Sequence, residues 1–206
     1  MARRFREAWK PFLDSKGMEF FHATDDFRRP DAEEIFSSLA KLTKDTALRG
    51  CINFLSDKEL TRLSKSGAQR YAGSGFSTST LGCMKLMADM AREQNRRIVY
   101  FIEGGNRFAG ELRHFLSQIK ERPQQIDQYA MAGADTYDKK DVIQLQAADL
   151  FAWSFTRSHY RGSWAEAVFM LTKDRVLPHT MTSFDPVMLA MVNSFHGMRS
   201  NRKRFS

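Results

Sequence analysis

The sequence predicts an α/β domain, a sheet flanked by helices, and three observations carry that prediction. Residues 97–105, Arg-Ile-Val-Tyr-Phe-Ile-Glu-Gly-Gly, place five apolar, largely β-branched or aromatic residues in a row. That is the pattern of a central strand covered on both faces. Residues 143–157 contain no Gly or Pro and carry apolar groups on nearly every side, which reads as a helix buried inside a domain. Strand-like and helix-like stretches alternate along the rest of the chain, with no repeat, low-complexity tract or clear boundary. Residues 1–206 are therefore read as one domain.

The elements follow in order. Phe5, Ala8, Trp9 and Phe12 share one face of a helix from Ala2 to about Leu13, which Gly17 ends. Residues 18–21 read as a short strand and 22–27 as the loop leaving it. Pro30 and the acids Asp31, Glu33 and Glu34 suit the first turn of a helix running through Leu42. Residues 50–55 predict a strand, 58–63 a short helix, and 64–67 and 72–75 loops. Ser77 or Thr78 can cap a long helix ending near Asn95, with Leu81, Met84, Met87, Ala88 and Ala91 as its apolar stripe. After the strand at 97–105 comes a helix over 108–120, stopped by Pro123. Residues 126–132 read as a strand and 133–141 as a polar connection into the helix at 143–157. Helical stretches at 164–171 and 187–195 follow, separated by Pro178 and Pro186.

Composition narrows the function classes. The chain is 42% hydrophobic and 27% charged, ordinary for a globular protein. No run approaches the ~18 apolar residues of a membrane span, and the start of the chain lacks the apolar segment of a secretory signal. Cys51 and Cys83 stand in no metal-binding or redox spacing, so a reducing, cytoplasmic setting is expected. The net charge of +8 is compatible with a polyanionic partner such as nucleic acid. Much of the excess lies at the ends, in Arg3, Arg4 and Arg6 and over residues 199–204, where basic tails more often simply aid solubility.

The chemistry-bearing residues are few. There is no dinucleotide fingerprint, Walker loop or nucleophile elbow, and the five histidines show no zinc spacing. Asp149 is the exception. It sits mid-helix beside Leu145, Ala148, Ala152 and Trp153, where an unpaired ionised carboxylate would cost several kcal/mol. Glu103 ends the predicted central strand, the place where ligand sites gather in open α/β sheets. If the two converge, they make a site for a hard divalent cation, Mg²⁺ or Mn²⁺, and for phosphodiester cleavage. The plainer alternative is that Asp149 accepts backbone hydrogen bonds or pairs with an arginine. His22 and Asp25, with Asp26, form a second polar cluster able to supply a ligand or general base. Its plainer alternative is an Asp capping the helix near Pro30.

Three stretches, in this order, resemble motifs of one family: Phe21-His22-Ala23-Thr24-Asp25, Tyr100-Phe101-Ile102-Glu103-Gly104-Gly105, and Leu145-Gln146-Ala147-Ala148-Asp149-Leu150-Phe151-Ala152-Trp153. They resemble the domain of unknown function 3800 family, over about residues 9–157. The resemblance implies a ribonuclease H-like mixed sheet with helices on both faces, a core at about 9–160 and a helical extension at about 161–206. It implies metal-holding carboxylates at Glu103 and Asp149, and by superfamily analogy a nuclease. Family members usually begin with a strand bearing Asp-Glu-Ser and two further strands; no Asp-Glu-Ser occurs here. The expectation is thus an N-terminally truncated member lacking its first three strands, incomplete or inactive as a nuclease. A sheet edge left exposed would favour oligomers. The alternative expectation is a non-catalytic module that binds nucleic acid or protein and uses its carboxylates structurally.

Overall fold

The computed structural model describes residues 2–46, 50–54, 58, 61, 74–105, 107–158, 164–171 and 176–180. Their architecture is mixed α/β and mostly helical: α1 (Ala2–Ser15), α2 (Ala23–Asp26), α3 (Ala32–Thr46), β1 (Gly50–Phe54), α4 (Gly75–Glu93), β2 (Ile98–Glu103), α5 (Ala109–Lys120), α6 (Pro123–Gln128), β3 (Met131–Tyr137), α7 (Ile143–Ser158), α8 (Trp164–Met170) and β4 (Val176–Thr180). In place of one extended sheet, β1 pairs with β4 and β2 with β3. Ile98 N–H donates to Ala130 C=O and Gly104 N–H to Tyr137 C=O, so β2 and β3 run parallel. The chain divides into two compact units. The first is Met1–Ile52, Phe101–Gly105 and Thr136–Leu177; the second is Asn53–Tyr100, Asn106–Asp135 and Pro178–Ser206.

In the first unit, helical spacing on α1 aims Phe5, Trp9 and Leu13 inward, and α3 answers with Ile35, Phe36, Leu39 and Ala40. Ile143, Ala147 and Leu150 of α7 and Val168 of α8 complete the core. Gly17, at φ +64°, ends α1 in the left-handed conformation. Gly17 N–H then reaches Asp14 C=O and Met18 N–H reaches Leu13 C=O, while Met18 and Leu13 are both buried. The chain turns back over the core and inserts Phe21, whose ring lies 4.9 Å from Phe36 and 6.2 Å from Trp9.

In the second unit, Ser74 caps α4, its hydroxyl accepting from Ser77 N–H at 3.2 Å. Asn95, at φ +51°, ends the helix as Gly17 ends α1. Leu81, Met84 and Ala88 of α4 are buried, as are Leu112, Leu116 and Ile119 of α5. The Tyr100 hydroxyl lies within hydrogen-bond reach of the Met84 and Tyr129 carbonyls.

Several expectations are corrected. Residues 18–21 are not a strand: the Met18 amide completes the end of α1 on the Leu13 carbonyl, and the Phe21 amide is taken by Gln146 of α7. Residues 23–26 are a helical turn, not a loop, and the next helix starts at Ala32 and runs four residues past Leu42. The α4 cap is Ser74, ahead of the expected Ser77 or Thr78. Strand β2 is open on one face: Val99 is 52% and Phe101 39% exposed, while Tyr100 and Ile102 are buried. Pro123 stops one helix but opens another at its first turn, where its missing N–H costs nothing. The third strand therefore begins only at Met131 and takes up most of the supposed polar connection. Ala148 and Ala152 are exposed, so α7 is buried on one side only. Pro178, taken as a breaker, lies within β4. Of the expected helix at 58–63 only Lys58 and Thr61 are described, both helical; the helix at 187–195, the loop at 64–67 and the basic tail at 199–204 lie outside the described residues. No described helix is long and apolar enough to cross a membrane.

Candidate functional site

Glu103 and Asp149, 46 positions apart in sequence, meet in the first unit, and what they meet on is a lysine. Lys139 Nζ lies 3.0 Å from Glu103 Oε1 and 3.3 Å from Asp149 Oδ2. Its side chain is 11% exposed, against 20% for Asp149 and 40% for Glu103. An ammonium so placed answers the question that Asp149 poses in the sequence. The buried charge is compensated by an opposite one at hydrogen-bond distance.

Local structure fixes each member. Glu103 ends β2, where Gly104 N–H donates to Tyr137 C=O at 2.9 Å and ties that end to β3. Lys139 sits in the turn between β3 and α7, closed by Asp141 N–H to Asp138 C=O and by Lys140 N–H to the Asp138 carboxylate. Gln146, 1% exposed, holds that turn to the helix through its Nε2, which donates to the Lys139 carbonyl at 2.9 Å. The Gln146 Oε1 accepts from Phe21 N–H, also at 2.9 Å. One helical turn on, Asp149 Oδ2 accepts from Ala23 N–H at 2.9 Å. Alternate amides of the extended segment thus bond to side chains three apart on α7, which face the same way.

His22 and Asp25, the expected accessory pair, are brought to the same place. His22 Nδ1 lies 2.6 Å from Asp25 Oδ2, and its Nε2 lies 3.9 Å from Asp149 Oδ2. His22 N–H donates to Asp26 Oδ2 at 2.7 Å. Asp25 and Asp26 therefore serve the turn they belong to and do not cap the helix after Pro30. The hydrogen bond and the positive field of His22 hold the Asp25 carboxyl below its ordinary range. Burial pushes the Asp26 carboxyl up, although the His22 amide opposes it.

Chemically, the arrangement is a lysine-centred ion-pair network with a histidine–aspartate pair at its rim. It does not fit a divalent cation as it stands. The position between the acids belongs to the Lys139 ammonium, at N–O separations of hydrogen bonds, and ions such as Mg²⁺ need oxygens at about 2.1 Å. Among the described residues no group of three or more His, Cys, Asp or Glu side chains could hold a metal ion. The three contacts of Asp149 fall on Oδ2, leaving Oδ1 without a partner among the described residues. Sequence reasoning missed Lys139 and Gln146. A signal existed for each: Lys139 is a cation directly ahead of a helix with a stranded acid, and Gln146 shares that acid's face.

The chain was compared with protein-family models, curated proteins and solved structures, and none of the three comparisons gave a match.

Proposed function

We propose that this chain is a non-catalytic nucleic-acid-binding module of nuclease-like build, in which Glu103 and Asp149 act structurally. The observation that carries the reading is the Lys139 ammonium, 3.0 and 3.3 Å from the two acids. It occupies the place a catalytic cation would need and neutralises charge that would otherwise repel phosphates. The net charge of +8 supports a polyanionic partner. Three motifs resembling the domain of unknown function 3800 family support the nuclease-like build, and fold analogy alone does not bring activity with it.

A second reading keeps metal-dependent phosphodiester cleavage, with Mg²⁺ or Mn²⁺ on Glu103 and Asp149. The convergence of those acids and the unpartnered Asp149 Oδ1 favour it. One experiment separates the two. Labelled single- and double-stranded DNA and RNA are incubated with the chain in Mg²⁺, in Mn²⁺ and in EDTA, with binding measured across a salt series. The module reading expects salt-sensitive binding that persists in EDTA and no cleavage. Metal-dependent cleavage abolished by Asp149→Asn would replace it with the second reading.

A further inference from the structure

A groove of about 340 Å³ in the first unit is lined by Arg3 and Arg6 of α1, Phe101 of β2 and residues 141–144 at the start of α7. Phe101 is 39% exposed, and its ring lies 5.3 Å from that of Tyr137, itself 38% exposed. Both arginines are exposed. Arg3 pairs with Glu7 on the helix surface, a contact worth little in water, and Arg6 has no ionic partner among the described residues. One acid, Asp141, shares the lining. Side chains two apart on a strand share a face, so Phe101 and Glu103 lie along one side of β2, roughly 7 Å apart.

We infer that this face binds single-stranded nucleic acid, with bases stacked on Phe101 and Tyr137 and phosphates held by Arg3 and Arg6. The inference rests on the nucleic-acid-binding reading and names its substrate class and location. Two exposed rings beside two cations match what a single strand offers, flat π-faces spaced along a chain of phosphates. A duplex hides those faces within its stack. A second copy of the chain would set the same arginines against each other. An acidic peptide would use the arginines but would give the rings no flat partner.

The test is fluorescence anisotropy in EDTA with a short labelled oligothymidylate, an abasic strand of equal charge and a duplex. The oligothymidylate is expected to bind at least about 30-fold more tightly than the abasic strand, from two stacked bases. Phe101→Ala combined with Tyr137→Ala should erase that preference while leaving the salt slope unchanged. Arg3→Ala with Arg6→Ala should weaken both strands and reduce the log–log salt slope by about 1.4. All four side chains are exposed, so the variants should keep the wild-type circular dichroism, which verifies folding. Equal affinity for abasic and base-bearing strands would overturn the inference and leave the binding reading intact. Absence of salt-sensitive binding to any strand would overturn both. A wild-type dimer that dissociates in the Phe101–Tyr137 variant would assign the face to a second copy and overturn the inference.

Discussion

Replacing Lys139 with methionine keeps the length and apolar stem of the side chain and removes only its charge, so it isolates the ion-pair network. Breaking a fully buried pair by deleting one partner costs roughly 3–5 kcal/mol. Here the abandoned acids are not fully buried. Asp149 is one-fifth exposed and keeps its bond from Ala23 N–H, and Glu103 is two-fifths exposed. Solvent screening lowers the expected cost to about 2 kcal/mol. Asp149→Asn is milder, about 1 kcal/mol, because an amide oxygen still accepts from Ala23 and Lys139 keeps Glu103. The double variant should fall short of the summed single effects by about 1 kcal/mol, the signature of direct coupling. Urea unfolding at neutral pH, followed by circular dichroism with an unchanged m-value, measures all three. A Lys139→Met variant within about 0.5 kcal/mol of wild type, or strict additivity, would refute the lysine-centred network.

Gln146→Ala leaves both Phe21 N–H and the Lys139 carbonyl without partners, and should cost about 2 kcal/mol in the same unfolding assay. Gly17→Ala meets no atom within 4 Å of its new Cβ, so its expected loss of about 1 kcal/mol is purely the cost of φ +64° for an L-residue. His22→Ala should raise the Asp25 carboxyl towards its ordinary range, read by ¹³C NMR titration, because the hydrogen bond and charge that lower it are gone. The sign for stability follows. The folded Asp25 carboxyl gives up its proton below the ordinary value of 3.8, so it favours the folded state above that pH and loses the contribution on acidification. Asp26 works oppositely: its folded pKa is raised, so stability falls as pH climbs from 3.8 towards that raised value. His22→Ala should therefore flatten the acid-side gain, and an unchanged acid limb would contradict the assignment.

Periodic features were the legible ones. The faces of α1 and α4, the strand at 98–103 and the limits of α7 follow from the residue pattern, because each buries a regular stripe. The errors fall where a side chain from far along the chain overrides local preference. Residues 18–21 have strand-like composition, but the Met18 amide goes to the Leu13 carbonyl and the Phe21 amide to Gln146 at 2.9 Å. Periodicity cannot register a partner that is 125 residues away. The open face of β2 was misread for a related reason. Five apolar residues in a row look alike whether one face is covered or two, and only the exposure of Val99 and Phe101 distinguishes the cases.

The candidate site shows the same division between an anomaly that sequence exposes and an answer that it does not. A carboxylate in the middle of an apolar helix demands a partner on energetic grounds, and that demand singles out Asp149, which shares the Lys139 ammonium with Glu103. The identity of the partner depends on a turn, 138–141, whose residues follow no period. Two cations stand there side by side, Lys139 and Lys140, and composition ranks them equally. Geometry does not: Lys139 is buried against both acids, while Lys140 is exposed and lies over the Phe20 ring at 4.9 Å. The Gln146 bond to the Lys139 carbonyl selects between them by fixing which residue of the turn faces the helix. The expected role of Gln146 is therefore to point Lys139 at the acids. If that is its role, Gln146→Ala should also weaken the Lys139–Asp149 coupling measured by the double-variant cycle, and a coupling unchanged in that background would show that the lysine finds the acids unaided.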